Sequence, residues 1–169
     1  IVDSVAAALQ YISYYHPPDY IRHLARAYER EQSPAAKDAI AQILTNSRMC
    51  AEGHRPICQD TGIVNVFLKI GMDVRWQGFD GAALADAVNA GVRKGYLDPD
   101  NVLRASVLED PLFTRRNTRD NTPAVIHTEL VPGDTVEVSV AAKGGGSENK
   151  SKLIMMNPGD SLVDWVLKT

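Results

Sequence analysis

Cysteine is scarce in this sequence: 169 residues carry two, Cys50 and Cys58, eight positions apart. That spacing is neither a C-x-x-C pair nor a secreted disulfide framework, so reduced thiols in a cytoplasmic setting are expected. An excess of positive charge is also missing. Eighteen basic residues against 21 acidic ones leave a formal charge of −3. With a pI near 5.8, no nucleic-acid partner is expected, because such a partner asks for a basic face. No apolar run approaches the ~20 residues of a membrane-crossing helix, so no membrane span is expected. The opening Ile1-Val2-Asp3 lacks a basic segment and a long apolar one, so no signal peptide is visible. It also lacks an initiator Met, and the chain is expected to be a piece of a longer protein. There is no internal repeat and no low-complexity segment.

What is present suits one ordinary domain. The chain is 44% hydrophobic and 23% charged, and its length can bury most of a core without a staple. Residues 1–169 are read as a single domain. Val5, Leu9 and Ile12 repeat at helical spacing until Pro17-Pro18 stops the helix. A second helix begins near Asp19, with Ile21, Leu24 and Tyr28 on one face. Ser33 caps a third, with Pro34 at its first position and Gly53 at or just past its end. Residues 63–70 are β-branched and closed by Gly71, which predicts a largely buried strand. Asp80 or Gly81 opens a helix carrying Leu84, Val88, Val92 and Tyr96. Residues 102–108 are ambiguous between helix and strand. Residues 114–123 form a polar loop with three arginines, read as solvated or as meeting acidic small molecules. Two strands follow, 124–131 and 135–141, joined by Pro132-Gly133-Asp134 in a connection that suits a hairpin. Residues 152–156 suggest a further short strand or the approach to one, and Asp160 or Ser161 caps a last helix. Helices precede several strands without regular βαβ alternation. The fold class is therefore α+β, with N-terminal helices packed on a small, largely antiparallel or mixed sheet.

The chemistry-bearing residues concentrate at Cys58-Gln59-Asp60-Thr61-Gly62, between a helix end and a strand start. A thiol can bind a metal, an amide can orient a ligand and a carboxylate can move a proton. Cys50, on a helical pattern, reads as a small core residue. His16 and His23 have no spaced partner of ligand type and read as surface or packing residues, while His127, inside a strand and alternating with apolar neighbours, reads as an exposed-face residue rather than a ligand. Arg104 interrupts an apolar run; it is either a residue snorkelling off the core or a carboxylate clamp. Lys143-Gly144-Gly145-Gly146-Ser147-Glu148-Asn149-Lys150 matches neither a Walker A loop nor G-x-G-x-x-G. Its glycines can bring backbone N–H groups up to an anion, or can form a plain turn.

Ile57–Gly62, followed about 85 residues later by Ala142–Lys150, resembles the N-terminal (α) region of the class I fumarate hydratase family and the closely similar L-tartrate dehydratases. The resemblance covers about Asn46 to Thr169, and the two motifs in this order are specific. It implies an iron–sulfur hydro-lyase that interconverts fumarate and (S)-malate, with a 4Fe–4S cluster held by three cysteines and one iron open. Cys58 matches the first of those ligands. The other two would lie beyond Thr169, so this chain alone is expected to be without the cluster and inactive, and a remaining C-terminal part or a beta subunit is an implied partner. By resemblance Gln59 and Asp60 face the substrate, with Asp60 an acid/base or orienting residue. Arg104 matches a substrate-carboxylate arginine, and Gly146 a glycine whose backbone approaches the substrate. A homodimer and a small dicarboxylate substrate are further implications. Two other readings stay open: a metal-free anion-binding module using the triple glycine, and an assembly domain with no ligand response.

Overall fold

The structure, a computed structural model, describes residues 1–78, 83–144 and 152–168. Three helices come first: α1 (Val2–Tyr14), α2 (Pro18–Arg30) and α3 (Pro34–Gly53). The local signals that predict them are the ones that bound them. Pro18 sits in the first turn of α2, where its missing N–H costs nothing. The Ser33 side chain accepts a hydrogen bond from Ala36 N at the start of α3, and His54 ends that helix in the left-handed region at φ 47°. Strand β1 (Ile63–Gly71), helix α4 (Leu84–Tyr96) and strands β2 (Val125–Val131) and β3 (Val136–Lys143) follow. The last element is the short helix α5 (Leu162–Lys168), where Ser161 Oγ accepts from Asp164 N. The expected helix start at Asp80 or Gly81 lies outside the described residues.

The sheet is mixed and three-stranded, in the order β2-β1-β3. β1 runs parallel to β2, with Asn65 opposite Val125 and Gly71 opposite Val131. It runs antiparallel to β3, with Ile63 opposite Lys143 and Ile70 opposite Val136. The α+β class is as expected, but the hairpin is not. β2 and β3 are neighbours in sequence, yet β1 lies between them. The 132–135 connection arches over the end of β1: Gly71 N donates to Thr135 O, and Asp73 N to Gly133 O, each at 2.8 Å. The parallel β1–β2 pair is reached through α4, the crossover such a pair needs.

One face of the sheet carries the core. Val64, Val66, Leu68 and Ile70 alternate inward and meet Val5 and Leu9 of α1 and Val88, Val92 and Tyr96 of α4. The outward residues Ile63 and Phe67 are exposed, so β1 is half-buried rather than largely buried. Its pattern is that of a strand covered on one side. On the open face Phe67 stacks on His127 at 4.7 Å, the exposed-face position expected for that histidine. Two other expectations change. Residues 152–156 form no strand, and 102–108 are neither helix nor strand. In the latter, Leu103 and Ala105 are buried and Leu108 bridges Asn117.

Candidate functional site

The loop from Arg55 to Gly62 is held on both sides by helices. Ile57 N donates to Ser13 O of α1 at 2.8 Å. Asn46 of α3 donates its Nδ2 to Ile57 O at 3.1 Å. Cys50 is buried as expected and turns its thiol to Asn46 Oδ1 and Pro56 O, each at 3.6 Å. The loop then presents Cys58, Gln59 and Asp60 to solvent from a base anchored at both ends.

Within the loop the groups are mutually oriented. Asp60 N donates to Cys58 Sγ at 3.4 Å, and Cys58 Sγ lies 3.8 Å from Gln59 Oε1. Asp60 Oδ1 accepts from Gly62 N at 3.1 Å. Gly62 has φ +61°, and a Cβ placed on it would sit 1.7 Å from Lys143 O. Only glycine lets the turn pass this close to the end of β3. A Cβ on Gly144 would likewise lie 3.3 Å from Asp60 Oδ2. The Cys58 turn and the beginning of the triple-glycine segment, distant in sequence, thus share one sheet edge. Gly146 and the rest of 145–150 lie outside the described residues.

Arg104 comes to the same place by its backbone. The Thr61 hydroxyl donates to Arg104 O. The residue alternates with buried Leu103 and Ala105, and is itself exposed; its backbone, through Thr61, is what ties it to the Cys58 turn.

Three groups outside the two motifs also stand here. Asn121 is fully buried in the loop read as merely solvated. Its Oδ1 accepts from Ser106 N at 2.6 Å and Val107 N at 3.0 Å; its Nδ2 donates to Gly62 O at 3.0 Å. Asp120 anchors it to α4 through Arg93 Nε at 2.8 Å. Burial pushes the Asp120 carboxyl up, but the Thr122 hydroxyl and N–H and the Arg93 guanidinium outweigh it and hold it below the usual range. Tyr96 is buried beneath the turn. Burial pushes its phenol up, opposed by hydrogen bonds with Thr61 and Asn121 and helped by the charge of Asp60. His16 bonds Ser47 Oγ of α3 through Nδ1 at 3.0 Å, and burial lowers its pKa. A cavity of about 230 Å³ lies among these groups, lined by His16, Cys58, Asp60, Thr61, Tyr96, Leu103 and Ala142 among others. A larger one, about 550 Å³, lies between the start of α1, Trp76–Gly78 and α4. None of the expected site residues lines it. Sequence carries one weak signal for Asn121: asparagine tolerates the left-handed region, and its φ is +61°.

The sequence profile described as Fumarate hydratase (Fumerase) matches residues 2–169. The chain belongs to the fumarate hydratase (Fumerase) family. Among its curated relatives is a Methanocaldococcus jannaschii protein named as a candidate L(+)-tartrate dehydratase subunit alpha. It is 32% identical over all of this chain and 60% of its own length. The aerobic class I fumarate hydratase of Escherichia coli K12 is 38% identical over 73% of this chain and 22% of its own. The L(+)-tartrate dehydratase subunit alpha of Escherichia coli UTI89 is 28% identical over 99% of the chain and 55% of its own. The chain therefore spans at most about 60% of the length of these relatives. Family membership was legible in the two motifs, and at the level of the family it carries a lyase-type role.

The 4Fe–4S cluster that the resemblance implies makes a demand on the donor set. Among the described residues no three His, Cys, Asp or Glu side chains are grouped to hold a metal ion. Cys58 is exposed and Cys50 is buried, so one thiol faces the site. One thiolate does not make a three-cysteine ligand set, and these residues by themselves do not fit a 4Fe–4S cluster. No helix among the described residues is long and apolar enough to cross a membrane.

Proposed function

We propose that residues 1–169 form one domain, the N-terminal (α) part of a hydro-lyase that reversibly adds water to fumarate to give (S)-malate. The observation that carries this is the meeting of Asp60 with Gly144 at one sheet edge, with Arg104 joined to the same turn through Thr61. A dicarboxylate has two anionic ends. The Arg104 guanidinium takes one by a charge-assisted pair of hydrogen bonds. Backbone N–H groups of the triple-glycine segment, Gly146 among them by resemblance, take the other. Gln59 orients the substrate with its amide. Asp60, aligned by Gly62 N–H, is this chain's group for holding or moving the proton at the reacting carbon. Cys58 contributes one of three thiolates to a 4Fe–4S cluster; the other two come from outside these residues, and the partner of this chain is the remaining C-terminal part or a beta subunit. The chain by itself is then inactive. The whole enzyme is a cytoplasmic homodimer in this reading.

Dehydration of L-tartrate, also a dicarboxylate, is the second reading. Relatives named for that enzyme's alpha subunit align over 99–100% of this chain, against 73% for the fumarate hydratase. One experiment separates them. The intact protein is reconstituted with iron and sulfide without oxygen and assayed for malate–fumarate interconversion and for loss of water from tartrate. The substrate with the higher kcat/KM names the enzyme. Full activity in Cys58→Ala removes that residue from the ligand set. Phosphate binding to a protein inactive on both substrates favours a metal-free anion module instead.

A further inference from the structure

Asn121 contacts neither the solvent nor any group expected to touch substrate, yet it joins the two segments that carry those groups. Its side chain reaches three backbone atoms on two of them. Oδ1 takes the N–H groups of Ser106 and Val107, next to Arg104, and Nδ2 gives its hydrogen to Gly62 O, two residues from Asp60. Both directions of the amide are therefore used. An ionised carboxylate, with acceptors alone, could keep the first pair of bonds but not the third. The residue is fully buried, where an unpaired amide or carbonyl is costly, so these three backbone bonds, beside its hydrogen bond with Tyr96, favour one separation of the segments. Its own place is set from α4 by the Arg93–Asp120 pair, and by a left-handed φ of +61° that aims the side chain. Thr61 makes a second tie, hydroxyl to Arg104 O. Asn117 braces the same run by donating Nδ2 to Ala105 O at 2.8 Å.

We propose that Asn121 is a positioning residue that fixes the spacing between the Cys58–Gly62 turn and the Arg104 segment, and so the span over which the two ends of a dicarboxylate are held. This rests on the dicarboxylate reading above. It adds a residue that acts through Arg104 and never touches the ligand.

The test is a double-mutant cycle in the intact, reconstituted protein, with Asn121→Asp and Arg104→Ala made singly and together. It is read in kcat/KM for hydration and in the Kd of succinate, an unreactive dicarboxylate. Asn121→Asp is expected to lower kcat/KM and succinate affinity roughly tenfold while Arg104 is present. It is expected to have less than about a threefold effect once Arg104 is alanine, because contacting groups couple. Equal losses in both backgrounds, or no loss in either, overturn the proposal, since a purely structural role would not depend on Arg104. If Asn121→Asp does not fold, Asn121→Gly, which keeps the left-handed φ, is read in the same cycle. Failure of both to fold overturns it in favour of a role in stability alone. Succinate binding without hydration refutes the hydro-lyase reading while the coupling to Arg104 is still measured. Absence of succinate binding overturns both.

Discussion

Replacing Gly62 by alanine separates two physical costs that usually come together. The residue has φ +61°, and a Cβ there would lie 1.7 Å from Lys143 O, 2.2 Å from Lys143 C and 2.6 Å from Gly144 Cα. The left-handed conformation alone costs an L-residue ~1–2 kcal/mol. The overlap is with backbone, so no rotamer change relieves it. The end of β3 has to move off β1, an overpacking cost of ~1–3 kcal/mol. Gly62→Ala is therefore expected to destabilise by ~2–5 kcal/mol. Gly78 is the internal control: φ is +75° and nothing lies within 4 Å of its added Cβ. Gly78→Ala should cost only the conformational share, ~1–2 kcal/mol. Gly71 is the converse control. It has no left-handed φ, but its Cβ would lie 2.3 Å from Gly133 O, so Gly71→Ala reports overlap alone. Urea unfolding of the three variants measures the costs. Amide exchange at Ile63 and Lys143 locates the damage at the site edge for Gly62→Ala. At Gly71→Ala the damage falls on the 132–135 arch. A Gly62→Ala protein no less stable than Gly78→Ala would refute the close approach of the Cys58 turn to β3, and with it the shared edge on which the site is built.

The remaining predictions concern single side chains. Arg104→Ala is expected to raise the KM for a dicarboxylate ~10- to 100-fold, the loss of a charge-assisted pair of bonds. Its side chain is exposed, so urea stability should stay within about 0.5 kcal/mol; an unchanged KM and kcat takes it out of the site. The two thiols should divide cleanly: Cys58→Ser leaves the unfolding midpoint unchanged but abolishes activity of the reconstituted protein. Cys50→Ser, buried in the core, costs ~1–3 kcal/mol and spares the cluster; the opposite pattern reverses the assignment. His16 has a pKa lowered from 6.5 by burial, so the unfolded chain binds its proton first. The stability it supports is complete above pH 6.5 and is lost as pH falls through the lowered folded value. His16→Gln should flatten that part of the stability–pH curve, and an identical slope in the variant would show that the imidazole is not the group responsible.

The elements visible in the sequence are those whose causes are local. Pro17-Pro18, Ser33-Pro34 and Ser161 bound helices because capping and the missing proline N–H act within one turn of chain. Cys58-Gln59-Asp60 and the triple glycine stood out because their residue types are uncommon together. Cys50 was placed in the core by helical spacing alone. The expected hairpin fails for the same reason the helix bounds hold: both rest on local signals. Pro132-Gly133-Asp134 is a competent local turn, and nothing within it tells that a third strand runs beneath. Asn121 was passed over because a buried, three-bonded asparagine and a solvated one look alike in a polar loop.

By itself, then, the sequence determined the helices, the two motifs, the family and the residue types that a dicarboxylate site would need. Tertiary structure decided which of them meet. Strand order, the arch of 132–135 over Gly71, the contact of Asp60 with Gly144 and the Asn121 tie between Gly62 and Ser106 all join residues far apart in the chain. Such contacts depend on backbone spacing of a few ångströms, set by packing of the whole sheet against α1 and α4, and no local preference encodes them.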